Sequence, residues 1–158
     1  MNQERLHQLF VYDASTGQFI NRITRPNALA GNIAGSLTRS GYLEIGVDGK
    51  SFYAHRLIWM YVYGAWPTGV IDHINCIKTD NRIENLRDVS HAINCQNVKR
   101  AHSDSKIKFL GVAKNHKRFL SQITVKGRYV YLGTFDTPEE AHNVYIEAKR
   151  SLHEGSTL

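Results

Sequence analysis

Residues 70–97 read VIDHINCIKTDNRIENLRDVSHAINCQN, and this stretch decides how the rest of the chain is interpreted. It opens with the β-branched run Val-Ile-Asp-His-Ile, which is typical of a short strand. A loop rich in Asp, Asn, Lys and Thr follows, too polar for a core. Ser90 then precedes a helical segment over residues 91–97 and is suited to be its N-cap. The stretch predicts a strand, a polar loop and a helix, which together present Asp72, His73, Asn85 and Asn94.

These four residue types suit the metal-assisted cleavage of a phosphodiester. An imidazole with an ordinary pKa of about 6.5 is mostly neutral near pH 7, so His73 can accept a proton from water. Asp72 and Asn94 offer oxygen ligands, which select a hard cation such as Mg²⁺, with Mn²⁺ able to substitute. Asn85 is the second candidate catalytic residue. Its amide either orients the imidazole or holds the loop.

Two points of geometry stay open at the level of sequence. Adjacent residues of a regular strand point to opposite faces. Either the strand is irregular at Asp72 and His73, or the scissile phosphate lies between the metal ligand and the base. In addition, Arg82 and Arg87 either clamp a phosphate or pair with nearby acidic residues, which are Asp80, Glu84 and Asp88.

The stretch resembles the HNH endonuclease motif, the ββα-metal fold, in the variant whose last residue is Asn. Asp72-His73, Asn85 within ENLR, and Asn94 match in order and approximate spacing, and the words HRL (55–57) and DNRIENLR (80–87) resemble phage and intron-encoded members. The resemblance implies a DNA endonuclease of the phage or homing type, acting in the cytoplasm of a bacterial host. It also implies that the final Asn disfavours zinc catalysis.

Composition allows one domain or two small ones. The 158 residues are long enough to bury a core, and 42% of them are hydrophobic. No run approaches the roughly 20 apolar residues of a membrane span, and the first ten residues lack the apolar region of a signal peptide. We therefore expect a cytoplasmic protein with no membrane partner.

The two cysteines are too few for a disulfide framework. Cys76 and Cys95 could join His73 and His91 in a zinc site, since Cys and His are zinc's usual ligands. No CxxC pair accompanies them, so reduced thiols without a structural role are the default expectation.

Positive charge is concentrated in one part of the chain. Residues 1–97 hold 9 Lys and Arg against 8 Asp and Glu, whereas residues 98–135 hold 9 Lys and Arg against Asp104 alone. A concentrated excess of this kind is typical of a surface that binds a polyphosphate backbone, although a solvated basic surface is the alternative. Residues 98–108 lack apolar periodicity and read as a basic linker.

The N-terminal part reads as β-rich, with one buried helix. Asp48-Gly49 is a hairpin dipeptide, and Gly64 is suited to end the apolar helix predicted over residues 55–63. The predicted strands span residues 9–12, 18–20, 42–47 and 51–54.

The C-terminal part predicts a three-stranded sheet backed by one helix. Alternating runs cover residues 109–114, 118–126 and 128–135. Thr137-Pro138-Glu139-Glu140 then has the sequence of a helix start, with Thr at the N-cap, Pro at the first position and Glu three residues after Thr. By alternation, Ser121, Ile123 and Val125 face the helix.

This unit resembles the AP2 DNA-binding domain through Gly111-Val112 and the run LGTFDTPEEA at residues 132–141. The resemblance implies that the sheet lies in the major groove of double-stranded DNA. Its predicted outward surface is basic with interleaved tyrosines, which suits phosphate positioning and some reading of base edges. The predicted DNA-binding residues are Lys114, His116, Arg118, Gln122, Thr124, Lys126, Arg128, Tyr129 and Tyr131.

The sequence thus predicts an α+β protein: a β-rich extension with a nuclease motif (1–97), a basic linker (98–108) and an AP2-like domain (109–158). The predicted activity is hydrolysis of DNA by a divalent metal and a histidine base. One site per chain predicts nicking, by a monomer or a homodimer. The alternatives are a DNA-binding regulator with a decayed motif and a zinc-stabilised interaction module.

Overall fold

The chain forms two compact units in the computed structural model, Met1–Ser90 and His91–Leu158. The structure describes residues 1–101 and 104–157. The boundary between the units precedes the helix at residue 91, whereas the sequence predicts a boundary after residue 97. Two positions of the predicted linker, residues 102 and 103, lie outside the described residues.

The first unit contains two helices and three small antiparallel sheets. β1 pairs with β2 as a hairpin, β3, β4 and β5 form a sheet in that order, and β6 pairs with β7. The elements are α1 (Gln3–Leu9), β1 (Phe10–Asp13), β2 (Gln18–Asn21), β3 (Ser36–Leu37), β4 (Leu43–Val47), β5 (Lys50–Tyr53), α2 (Ala54–Tyr63), β6 (Val70–His73) and β7 (Leu86–Val89).

One hydrophobic core holds these elements together. Helix α2 corresponds to the predicted apolar helix, and its apolar residues pack in this core. The helix ends at Gly64, which adopts a left-handed conformation with φ of 72°. The β4–β5 turn is the predicted Asp48-Gly49 hairpin, and both residues have positive φ. Fully buried members of the core come from α1, both hairpin strands, β4 and α2, and they include Leu6, Leu9, Phe10, Phe19, Val47, Leu57 and Ile58.

Three elements of the first unit are absent from the sequence prediction: α1, the two-residue strand β3, and β7. Helix α1 precedes the first strand, with Asn2 Oδ1 accepting a hydrogen bond from Arg5 N at its start. The strand predicted to begin at residue 9 begins at Phe10 in the structure, because Leu9 ends the helix. Strand β7 lies where a polar loop was expected. Arg and Asp occupy its centre, and neither residue type favours strands.

The second unit contains the predicted three-stranded antiparallel sheet backed by one helix. The sheet has the order β10-β9-β8, and α4 packs on β9, where Ser121 and Ile123 are buried. The predicted capping box is present: Thr137 Oγ1 accepts from Glu140 N, and Glu140 Oε2 accepts from Thr137 N. The elements are α3 (His91–Gln96), β8 (Val112–Asn115), β9 (Arg118–Val125), β10 (Arg128–Phe135) and α4 (Pro138–Leu152).

Within the described residues, no helix combines the length and the hydropathy needed to cross a bilayer.

Candidate active site

Asp72 and His73 lie at the end of β6, which is paired in regular register with β7. Asp72 is opposite Arg87 and His73 is opposite Leu86. Both side chains are buried, with 6% of Asp72 and 5% of His73 exposed. Burial of two polar side chains at adjacent positions requires polar partners on each, because an unsatisfied buried polar group is costly.

The Asp72 carboxylate is held by Arg87. Arg87 Nε and Nη2 both donate to Asp72 Oδ2, at 2.8 and 2.7 Å. Of the two readings that the sequence left open for Arg87, the structure supports an ion pair, although the acid is Asp72 across the β6–β7 pair rather than its neighbour Asp88. Arg82 likewise forms ion pairs, with Asp80 and Glu84.

The His73 imidazole contacts Asn81 rather than Asn85. His73 Nε2 lies 3.0 Å from Asn81 Oδ1, and the Asn81 side chain is fully buried. An amide oxygen only accepts hydrogen bonds, so the contact is a hydrogen bond in the tautomer that carries the proton on Nε2. Asn81 was not among the residues selected from the sequence. The one available signal was its place in a polar loop, which many residues share.

The surroundings of His73 favour its neutral form. Burial lowers the pKa of His73 from its usual value, although the contact with Asn81 and the negative charges of Asp72 and Asp80 act in the opposite direction. The His55 ring meets the His73 ring edge-on, with centroids 5.2 Å apart. A neutral imidazole near pH 7 is the state that a general base requires.

His55 is itself a buried histidine. Only 6% of it is exposed, and its Nδ1 has no hydrogen-bond partner among the described residues. Burial, followed by the proximity of His73 and Arg56, lowers the pKa of His55 to about 3. The ring also stacks on Tyr53.

Asn85 holds the loop that connects β6 to β7. Its Oδ1 accepts from Asn75 N at 3.0 Å, and its Nδ2 donates to Asn75 Oδ1 at 3.0 Å and to Asp80 O at 2.7 Å. Its backbone carbonyl accepts from Ile74 N. Of the two roles that the sequence allowed for Asn85, these contacts correspond to holding the loop.

The donor chemistry of Asp72 fits a hard divalent cation, because a carboxylate is a preferred ligand of Mg²⁺. A cation there would share the carboxylate with Arg87. Asn94, the second predicted ligand, lies on α3 and belongs to the second unit. Among residues 1–101 and 104–157, no three His, Cys, Asp or Glu side chains form a group that could hold a metal. Cys76 and Cys95 are exposed thiols.

The predicted DNA-binding surface of the second unit is mostly exposed. Tyr129 and Tyr131 are 77% and 65% exposed, and they stand opposite Thr124 and Gln122 on one face of the sheet. Gln122 is half-buried. The remaining predicted residues are exposed, which are Lys114, His116, Arg118, Lys126 and Arg128, with Arg118 also paired to Asp136 at 2.8 Å.

The register corrects the predicted face of two of these residues. Lys114 stands opposite Phe119, and Arg128 stands opposite Val125. Directly opposed residues share a face of a sheet, so both lie on the face of Ser121 and not on that of Tyr129. Which residues of two neighbouring strands share a face depends on the register in which the strands pair. The alternation within a single strand does not give this register.

Comparison with known proteins bears on the segment that contains this site. Residues 52–96 match the family model of the HNH endonucleases. The matched segment is less than a third of the chain, and it includes Asp72, His73, Asn85 and Asn94. No curated protein and no solved structure matches the chain. The HNH match supports a nuclease that acts on DNA.

Proposed function

We propose that this protein is a metal-dependent DNA endonuclease in which His73 is the general base. The observation that carries the proposal is a buried imidazole, biased toward its neutral form and adjacent to a carboxylate, inside the segment that matches the HNH endonucleases. The proposal rests on this combination, because each of these residue types is common by itself.

In the proposed reaction, His73 accepts a proton from a water molecule while the water oxygen attacks the phosphorus. The bond from phosphorus to the 3′ oxygen breaks and this oxygen takes up a proton from solvent, which leaves a 5′ phosphate and a 3′ hydroxyl. Asp72 would hold a divalent ion, with Mg²⁺ the best fit and Mn²⁺ able to substitute. Such an ion supplies Lewis-acid stabilisation of the phosphate and the departing oxygen. Asn94 is proposed as the second ligand from the sequence alone.

The second unit is proposed to position double-stranded DNA. Its support is the exposed basic and tyrosine-bearing sheet, together with the resemblance of residues 109–158 to AP2 domains. The resemblance of the nuclease motif further favours a phage or homing enzyme. One site per chain implies that a monomer cuts one strand per encounter, and a homodimer would be needed to cut both strands at once.

A DNA-binding regulator with an inactive motif is the second candidate. The observation that favours it is the ion pair between Asp72 and Arg87, because it balances the charge of the carboxylate without any metal. On this alternative, the exposed sheet of the second unit would still bind DNA.

The experiment that separates the two is a nicking assay on supercoiled plasmid. We expect conversion to nicked circles with Mg²⁺ or Mn²⁺ and none with EDTA, and we expect loss of conversion in Asp72→Asn. Arg5→Ala is the control, since Arg5 and Asp48 form an exposed pair within the same unit. Binding without cleavage under either metal, on plasmid and genomic DNA alike, would favour the regulator.

A further inference from the structure

The N-terminal hairpin, β1 with β2, contacts the loop that carries Asn81. Tyr12 Oη donates to Asn81 O at 3.1 Å and accepts from Ile83 N at 2.9 Å. These two bonds attach the hairpin to the backbone on both sides of Arg82. The hairpin lies outside residues 52–96, so the match to the HNH endonucleases does not include it.

Gly17 makes the second contact between the hairpin and this loop. It has φ of 71°, and a Cβ on it would overlap Arg82 N and lie 2.5 Å from Asn81 C. The positive φ of the turn favours glycine at position 17. The turn by itself does not require the backbone of Asn81 and Arg82 to lie this close to Gly17. The close approach fixes where the Asn81 backbone can lie.

The Asn81 side chain is poorly explained by stability alone. It is fully buried, its Oδ1 lies 3.0 Å from His73 Nε2, and its Nδ2 has no hydrogen-bond partner among the described residues. An apolar side chain of similar volume would bury no unsatisfied donor. Asparagine at this position therefore points to a requirement for its oxygen at His73.

We infer that Asn81 is a positioning residue that keeps the His73 proton on Nε2 and that the β1–β2 hairpin holds Asn81 in place through Tyr12 and Gly17. With Nε2 as the donor, Nδ1 is the nitrogen that carries the basic lone pair. Asn81 thus selects which of the two ring nitrogens keeps the proton in the neutral imidazole. The catalytic role of this contact rests on the proposed function. The tautomer of His73 can be measured whether or not the protein cleaves DNA.

The test is nitrogen NMR of histidine-labelled protein at a pH of about 8, where an ordinary imidazole is neutral. His73 is assigned among the 8 histidines by comparison with His73→Gln. We expect the proton on Nε2 in the unmodified protein and in Asn81→Asp, which keeps an acceptor oxygen. We expect a mixture of tautomers in Asn81→Leu.

The hairpin is tested by a matched pair of glycine substitutions. Gly17→Ala is expected to shift the His73 signals toward those of Asn81→Leu. Gly49→Ala is the control, since Gly49 also has positive φ (76°) but meets nothing within 4 Å. Single-turnover cleavage should fall by about 10- to 100-fold in Asn81→Leu, by analogy with the loss of the hydrogen-bond partner of a metal-ligating histidine, and should recover in Asn81→Asp.

A proton on Nδ1 in the unmodified protein would overturn the inference, and this measurement needs no variant to fold. Unchanged His73 signals in folded Asn81→Leu would overturn it as well. If the tautomers follow the expectation and no DNA is cleaved, the proposed function fails while the positioning of His73 by Asn81 stands.

Discussion

At the scale of single residues, burial sets the protonation of the two neighbouring histidines. His55 and His73 are each about 95% buried, and burial is the largest cause of the lowered pKa of both. A base that stays neutral can accept a proton at pH 7, but a histidine that resists protonation also makes the fold sensitive to acid.

The free energy of unfolding should therefore fall as the pH falls below about 6.5. The pKa of His55 is about 3 in the folded chain and ordinary in the unfolded chain, so the unfolded chain binds the additional proton between these values. Stability is present above the unfolded pKa and is lost toward the folded one, with a slope of up to about 1.4 kcal/mol per pH unit from this residue. His73 acts in the same direction.

Urea unfolding of His55→Gln between about pH 4.5 and about pH 6.5 measures this contribution. This window lies above the ordinary range of carboxylates, so Asp80, with its pKa lowered to about 2, contributes little there. His55→Gln should have a shallower slope than the unmodified protein. Parallel slopes in the two proteins would contradict the assignment.

At the scale of elements, one glycine sets how closely α4 packs on the sheet of the second unit. Gly111 has φ of 71°, and a Cβ on it would overlap the ring of Tyr145 on α4. Gly111→Ala should lower the free energy of unfolding by about 1–3 kcal/mol through overpacking, in addition to the cost of the positive φ.

Gly127→Ala separates the two costs in thermal unfolding of the same unit. Gly127 has φ of 78° and meets nothing within 4 Å, so its substitution carries only the backbone cost. A melting temperature that falls equally in the two variants would show that the packing of Tyr145 against Gly111 contributes nothing.

The elements that could be predicted from the sequence are those whose formation depends on neighbouring residues in the chain. The Thr137 capping box, the Asp48-Gly49 turn and the helix that ends at Gly64 each depend on residues that are close together in the sequence. Helix α1 was missed because its seven residues gain their stability from packing Leu6 and Leu9 in the core.

Part of the site could also be predicted from the sequence, because its residues lie within one short stretch. Asp72, His73 and Asn85 were selected by residue type and spacing, and the structure finds all three buried in the first unit. The partners of the site were not predictable. Asn81 reaches His73 across a loop, and Arg87 reaches Asp72 across a strand pair, so both depend on register and chain path.

At the scale of the whole molecule, the uneven distribution of charge predicts how DNA binding responds to salt. The excess of Lys and Arg in residues 98–135 should release counterions from DNA, so the logarithm of the binding constant should fall linearly with the logarithm of salt concentration. Lys126 is exposed beside the tyrosine-bearing face. Lys126→Ala should reduce the magnitude of this slope by about 1.

Fluorescence anisotropy with a duplex DNA across a salt series measures the slope. Lys50→Ala is the matched control, because Lys50 is also exposed but lies in the evenly charged first unit. Equal slopes for Lys126→Ala and the unmodified protein would remove Lys126 from the DNA surface. A reduced slope in Lys50→Ala would point to contacts made by the first unit.

The most direct test of the account is the single-turnover rate of DNA cleavage by His73→Ala, measured with Mg²⁺ alongside DNA affinity. A general base contributes about 10²- to 10⁴-fold, so we predict a loss of that size in the cleavage step with the dissociation constant for DNA unchanged. Cleavage by folded His73→Ala at the rate of the unmodified protein would contradict the assignment of His73 as the base.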